Sequence, residues 1–131
     1  MILVDTSVWI ELLAGRLTLH PSDLPKLAVC GPVVQEVLQG LKPGSTSEAF
    51  RQAFFAIPVI GDPISLDVFV SAAEIYRQGR RIGISIRSSV DCLIAAIAIE
   101  NGVPVWHRDR DFTAIARYTS LEASSPASRR Q

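Results

Sequence analysis

Cysteine is scarce in this 131-residue chain: Cys30 and Cys92 lie far apart, with no C-x-x-C pair. That excludes zinc held by cysteine, and both read as buried free thiols. The two histidines, His20 and His107, show no metal-ligand spacing. Net charge is also absent, thirteen basic residues balancing thirteen acidic ones. Any affinity for nucleic acid must therefore come from local clustering. Only 20 % of residues are charged, so apolar surface is left over for a partner. No apolar run is long enough to span a bilayer. The opening MILVDTSVWIELLAG lacks a basic leader and a cleavage site, and Asp5 and Glu11 interrupt it. It reads as a strand and a helix, and the expected location is cytoplasmic.

Missing residues also remove rival chemistries. Lys26 and Lys42 are the only lysines, both early, whereas a receiver-type phosphoacceptor domain needs one near a late strand. A dehalogenase-like phosphatase needs D-x-D after its first strand, and this chain has Asp5-Thr6-Ser7. No G-x-x-x-x-G-K-[ST] loop is present to bind a nucleoside triphosphate.

What remains is an alternation of strands and helices. Residues 1–4 form a continuous apolar run, the pattern of a strand covered on both faces. Asp5-Thr6-Ser7 supplies helix-capping chemistry, and Val8, Ile10, Leu12 and Leu13 are the apolar positions of the helix that follows. Residues 27–30 are a second strand, and Gly31-Pro32 opens a helix that Gly40 closes. Ser45-Thr46-Ser47-Glu48 resembles a capping box for a helix carrying Phe50, Ala53 and Phe54. Residues 57–60 are a strand that Pro58 confines to a sheet edge. A helix over 65–81 shows an apolar stripe of Leu66, Phe69, Ala73 and Tyr76, with Gly79 and Gly83 marking its frayed end. Residues 92–99 are apolar on every side, the mark of a buried helix. A strand over 104–107, a helix over 109–118 and a short strand over 121–123 complete the pattern. It predicts an α/β fold: three α/β/α layers around a mostly parallel sheet of four to five strands. One domain covers 1–123, and the polar tail 124–131 is expected to be mobile. No repeat or linker divides the chain.

Four acids stand out in this frame. Asp5 follows strand 1, Glu36 lies a turn into the next helix, Asp91 opens the buried helix, and Asp109 follows the 104–107 strand. Strand order and direction bring all four to the carboxyl edge, where open α/β sheets bind ligands. Each has a simpler reading alone. Asp5 and Asp109 serve as N-caps, Asp91 completes a capping box with Ser88, and Glu36 is an exposed helix residue. Together they call for a cation, since two carboxylates ~4 Å apart repel by ~4 kcal/mol at an effective dielectric of ~20. Oxygen ligands suit Mg²⁺ or Mn²⁺.

The segments MILVDTSVWIE, PVVQEVLQG, SSVDCLIAAIAIENG and VPVWHRDRDFTAIA resemble, in order and spacing, the four acidic motifs of PIN domains. The closer resemblance is to VapC-type toxins of bacterial toxin–antitoxin pairs, and it runs from residue 1 to about residue 120. It implies a PIN-like fold and a Mg²⁺- or Mn²⁺-dependent endoribonuclease leaving 3′-hydroxyl and 5′-phosphate ends. It also implies a transfer or ribosomal RNA substrate, a VapB-type antitoxin and a homodimer. By motif, Asp5, Asp91 and Asp109 become metal ligands, and Glu36 holds a second metal or orients the attacking water. Ser7 and His107 line the site, although many relatives carry Thr or Ser at position 107. Asp111 is a second acid in the last motif, but its place just before Phe112 favours a surface or capping role.

The substrate path needs cations. Arg77, Arg80, Arg81 and Arg87 come between Glu74 and Asp91 with no acid among them, and Arg108 and Arg110 flank Asp109. Arg80, Arg81, Arg87 and Arg108 are the candidate RNA contacts, against a plain reading of Arg77, Arg80 and Arg81 as a solvated helix end. Trp9 and Trp106 are assigned to packing rather than base stacking. The alternative to an enzyme is a PIN-like module that binds RNA or protein with a silent site.

Overall fold

The computed structural model describes residues 1–44 and 48–126. The capping-box segment 45–47 and the end of the tail, 127–131, lie outside the described residues. Four short strands form one sheet: β1 (Ile2–Val4), β2 (Leu27–Ala28), β3 (Val105–Trp106) and β4 (Ala123–Ser124). Their order is β2-β1-β3-β4, and every neighbouring pair is parallel. The central place of β1 explains its sequence, since Leu3 and Val4 are wholly buried.

Helices α1 (Thr6–Leu13), α2 (Gly31–Gly40), α3 (Glu48–Phe55), α4 (Leu66–Arg81), α5 (Ser89–Glu100) and α6 (Arg110–Ala116) flank the sheet. A 3-10 helix, Pro21–Lys26, leads into β2. Parallel neighbours need crossovers, and helices supply them. Helix α5 lies at the centre of the helical packing, against α2, α4 and α6. Its buried residues include Ile94, Ala95, Ala96, Ile97 and Ala98, as its unbroken apolar composition requires. Both cysteines are buried and free, and burial pushes each thiol up to about 11.

Three local expectations need correction. The edge segment 57–60 forms no regular strand, only a parallel bridge between Val29 and Val59. The Val29 N–H donates to the Pro58 carbonyl and the Ile60 N–H to the Val29 carbonyl. With no donor of its own, Pro58 limits the pairing to this bridge. On α1 the buried residues are Val8 and Trp9, while Ile10 and Leu13 are exposed. Trp9 packs edge-on against Phe54 at 5.1 Å and donates its indole N–H to the Val4 carbonyl.

On α4 the buried stripe is Val68, Ala72, Ile75 and Gly79. Leu66 and Phe69 are exposed, at 77 % and 48 %. Small residues at 72 and 79 let α4 approach its neighbours closely, a signal that hydrophobicity alone does not register. Gly79 is thus no frayed end. A Cβ there would meet the Tyr118 hydroxyl at 2.8 Å and the Ile84 carbonyl oxygen at 2.9 Å. The same hydroxyl donates to the Ile75 carbonyl at 2.8 Å, tying α4 to the end of α6.

Gly79→Ala is expected to destabilise the fold by about 1–3 kcal/mol through overpacking. Thermal unfolding should register a fall of about 3–10 °C in Tm. An unchanged Tm would show that the Tyr118 contact yields freely.

Candidate active site

The site grows out of the pairing of β1 with β3. The Leu3 N–H donates to the Pro104 carbonyl and the Asp5 N–H to the Trp106 carbonyl, each at 2.9 Å. These bonds hold the residues after the two strands side by side. The Arg108 N–H then donates to Ser7 Oγ at 2.9 Å, across 101 residues of sequence. Helix α5 leads through Asn101-Gly102 into β3, so it runs against the strands and its first turn, with Asp91, lies at their carboxyl edge. Helix α6 starts there too, with Asp109 as its N-cap.

Asp91, Asp109 and Asp111 each place a carboxylate oxygen within 4.8 Å of the other two. Asp5, Asp91 and Asp111 are at most 5 % exposed. The capping bonds use only part of each carboxylate. Asp5 Oδ2 accepts from the Ser7 N–H and the Ser7 hydroxyl. Asp109 Oδ1 accepts from the Asp111 N–H at 2.9 Å. Asp111 Oδ2 accepts from the Ser88 N–H at 3.1 Å. Asp91 therefore completes no capping box: Asp111 takes the Ser88 N–H from 23 residues downstream. Among the described residues, Asp5 Oδ1 and Asp91 Oδ2 are buried side-chain oxygens without any hydrogen-bond partner.

Electrostatics records the crowding. Burial first, then the Asp109 charge, hydrogen bonding to Asp111 and the Asp5 charge push the Asp91 carboxyl from 3.8 to about 9. Asp5 is raised by burial, a rise that its Ser7 hydrogen bonds oppose. An unpartnered buried acceptor costs on the order of 1–3 kcal/mol, more when charged. Two such oxygens beside further carboxylates, with no sulfur or histidine in the group, fit a hard divalent cation. Asp91, Asp109 and Asp111 have oxygens close enough to share one cation, and Asp5, whose charge reaches Asp91, offers a further unpartnered oxygen.

The sequence profile of the PIN domain matches residues 2–118. The chain belongs to the PIN-domain family. It is 38 % identical over 133 residues to VapC ribonuclease Mb1587 of Mycobacterium bovis, covering 95 % of this chain and 98 % of that one. Ribonuclease VapC11 of Mycobacterium tuberculosis matches equally well. In fold it resembles VapBC2 of Rickettsia felis, solved bound to a promoter DNA fragment. The TM-score is 0.71 at 16 % identity, over 97 % of this chain and 100 % of that one.

Within this PIN domain the expected residues separate into groups. Asp91 and Asp109 share the tight group; Asp5 lies near enough for its charge to raise Asp91. Glu36 is outside the group, half-buried on α2, where Oε1 accepts from Thr6 Oγ1 at 2.9 Å. Ser7 fixes Asp5. His107 is buried, its Nδ1 accepts the Asp109 N–H at 3.3 Å, and burial lowers its basicity. Its ring braces the turn into α6 and packs on Phe112 at 5.4 Å. Arg87 lies beside Asp109 and Asp111. The Arg108 guanidinium donates to the Pro126 carbonyl at 3.3 Å. Arg81 pairs with Glu74 at 3.0 Å, and Arg80 lies over the Tyr76 ring.

Sequence reasoning undervalued Asp111 and Thr6. Asp111 is buried and belongs to the acid group, not the surface. Its signal was the D-x-D spacing at the start of a short helix, where the cap and second helical residue meet. Thr6 shows only capping chemistry in the sequence, and nothing local announces its hydroxyl as the anchor of Glu36.

A folded-state carboxyl raised from 3.8 to about 9 keeps its proton after the unfolded chain has lost it. This contribution is full below the unfolded pKa and is lost as pH rises through the folded one. The metal-free protein should therefore lose stability between pH 5 and pH 8, and Asp91→Asn should flatten that slope and raise Tm at pH 8. Thermal melts in chelator test this; a steeper decline in Asp91→Asn would contradict it.

Proposed function

We propose that this PIN domain is a divalent-metal-dependent endoribonuclease, the toxin of a toxin–antitoxin pair. The observation that carries the reading is the buried acid group with two unpartnered oxygens at the carboxyl edge of the sheet. Its 38 % identity to VapC ribonucleases supports RNA as the substrate. Mg²⁺ is the proposed cofactor, with Mn²⁺ as a substitute, because an all-oxygen donor set suits both. Held there, the cation supplies Lewis-acid polarisation of the phosphodiester and a nucleophilic water at neutral pH.

The chain's own residues do the positioning. Ser7 presents Asp5 with Oδ1 free, and the buried α5 presents Asp91 with Oδ2 free. Asp109 and Asp111 complete the cradle. Glu36, anchored by Thr6, is proposed to orient the attacking water or hold a second cation. Arg80, Arg81, Arg87 and Arg108 are proposed to receive the phosphates of the RNA.

The proposed partner is a VapB-type antitoxin, supported by resemblance to chains solved as VapBC assemblies. An open apolar cleft of about 820 Å³, lined by Trp9, Leu12, Leu17, Phe50, Phe54 and Ile57 among others, is its candidate seat. Leu66, Phe69 and Val70, exposed along α4, are the candidate face for a homodimer. The proposed domain spans 1–123, and the location in keeping with an RNA substrate is the cytoplasm. No helix among the described residues is long and apolar enough to cross a membrane.

Asp5→Ala and Asp91→Ala are expected to lower RNA cleavage in Mg²⁺ by about a hundredfold or more, since even outer-shell changes cost 10–100-fold. Cleavage should stop in chelator and return with Mn²⁺. Full activity in either variant would refute the reading. RNA binding that persists in chelator without turnover under any cation would identify a silent binding module instead.

Thr6→Val should release Glu36 and lower the cleavage rate about 10–100-fold, with Thr6→Ser restoring most of it. Single-turnover rates at saturating RNA provide the check; equal rates in Thr6→Val and wild type would remove Thr6 from the machinery.

A further inference from the structure

Of the four arginines assigned to the RNA path, Arg87 alone has its guanidinium against the acid group. Nη2 lies 3.5 Å from Asp109 Oδ1, and Nε lies 3.7 Å from Asp111 Oδ1. Both contacts are longer than the ~2.7–2.9 Å of a charge-assisted hydrogen bond. The side chain is 57 % exposed, so these contacts are loose and screened. The backbone around it is held firmly. Ile86 is buried at 3 % exposure, and the Ser88 N–H donates to the other oxygen of Asp111. Arg87 thus has an anchored backbone and a largely exposed head at the rim of the site.

We propose that Arg87 is an exchange residue, the counter-charge of Asp109 and Asp111 before a divalent cation binds and a phosphate ligand afterwards. This deepens the nuclease reading and rests on it. A dication drawn to the same carboxylates repels the guanidinium and satisfies the charge that held it. A phosphodiester then offers the paired oxygens that a guanidinium fork matches. The consequence is linkage: Arg87 opposes the cation while RNA is absent, and RNA removes that opposition. Cation and RNA then raise each other's affinity, reciprocally.

The test uses the full chain with Arg87→Met and Arg87→Gln, two neutral variants, so that either suffices if the other misfolds. Calorimetric titration with Mn²⁺, without RNA, should show binding about threefold to tenfold tighter than wild type, the scale of a lost exposed ion pair or two. Binding of a fluorescent single-stranded RNA oligonucleotide in Ca²⁺ should weaken by about the same factor. A residue that merely braces Asp109 and Asp111 would weaken the cation instead. Unchanged or weaker Mn²⁺ binding in a folded variant overturns the proposal, as does unchanged RNA affinity. Failure of the nuclease reading looks different: wild type does not bind Mn²⁺, or Asp91→Asn binds it as well as wild type.

Discussion

Repulsion among buried carboxylates is the constraint around which this molecule is organised. Asp91 can hardly move away from it, because α5 is buried between α2, α4 and α6 and shifts only with the core. Asp5 is equally confined, one residue past the central strand and pinned to the Trp106 carbonyl through its own N–H. Close packing makes such a core stiff, so strain at the site is not relieved by small displacements. The apolar layers of Leu3, Val4, Ile94, Ile97, Val105 and Phe112 supply the burial energy that offsets the repulsion. The same burial raises its cost, since desolvation is the largest cause of the shifts at Asp5 and Asp91.

Helix capping and the proposed cation binding draw on the same residues, and capping leaves oxygens over for the second. A carboxylate has two oxygens, and a cap needs one. Asp5 gives Oδ2 to Ser7 and keeps Oδ1. Asp109 gives Oδ1 to the Asp111 N–H. The caps are a means of orientation: a side chain fixed at one oxygen cannot rotate the other out of the site. Ser7 extends this across the sheet edge, donating to Asp5 while accepting from the Arg108 N–H, so that α1 and the turn into α6 are set by one hydroxyl.

The parallel sheet, a first strand covered on both faces and the buried helix were legible because each rests on a local pattern: an unbroken apolar run or an all-round apolar helix. Strand order and direction placed Asp91 and Asp109 at the same sheet edge, and their meeting there is a matter of three-dimensional packing. Less legible were features defined by small groups or distant partners. Ala72 and Gly79 mark the packed face of α4 by their lack of bulk, so an apolar stripe pointed to Leu66 and Phe69 instead. Asp111 looked like a surface acid because its Ser88 partner lies 23 residues away. The segment 57–60 has strand composition, yet hydrogen-bond supply decided its fate at Pro58.

Three species can relieve the acid group, and they do not do so equally. A proton on Asp91 removes one charge, which is why its carboxyl is pushed so high, but it leaves Asp5 Oδ1 without a partner. The Arg87 guanidinium reaches Asp109 and Asp111, and neither of its contacts is to an unpartnered oxygen. A divalent cation carries two charges and accepts several oxygens at once, which matches both deficits. It must displace the proton to do so, and that demand falls as pH rises. Proton and arginine thus each relieve part of the group's charge and leave Asp5 Oδ1 without a partner, the deficit that the proposed cation would meet.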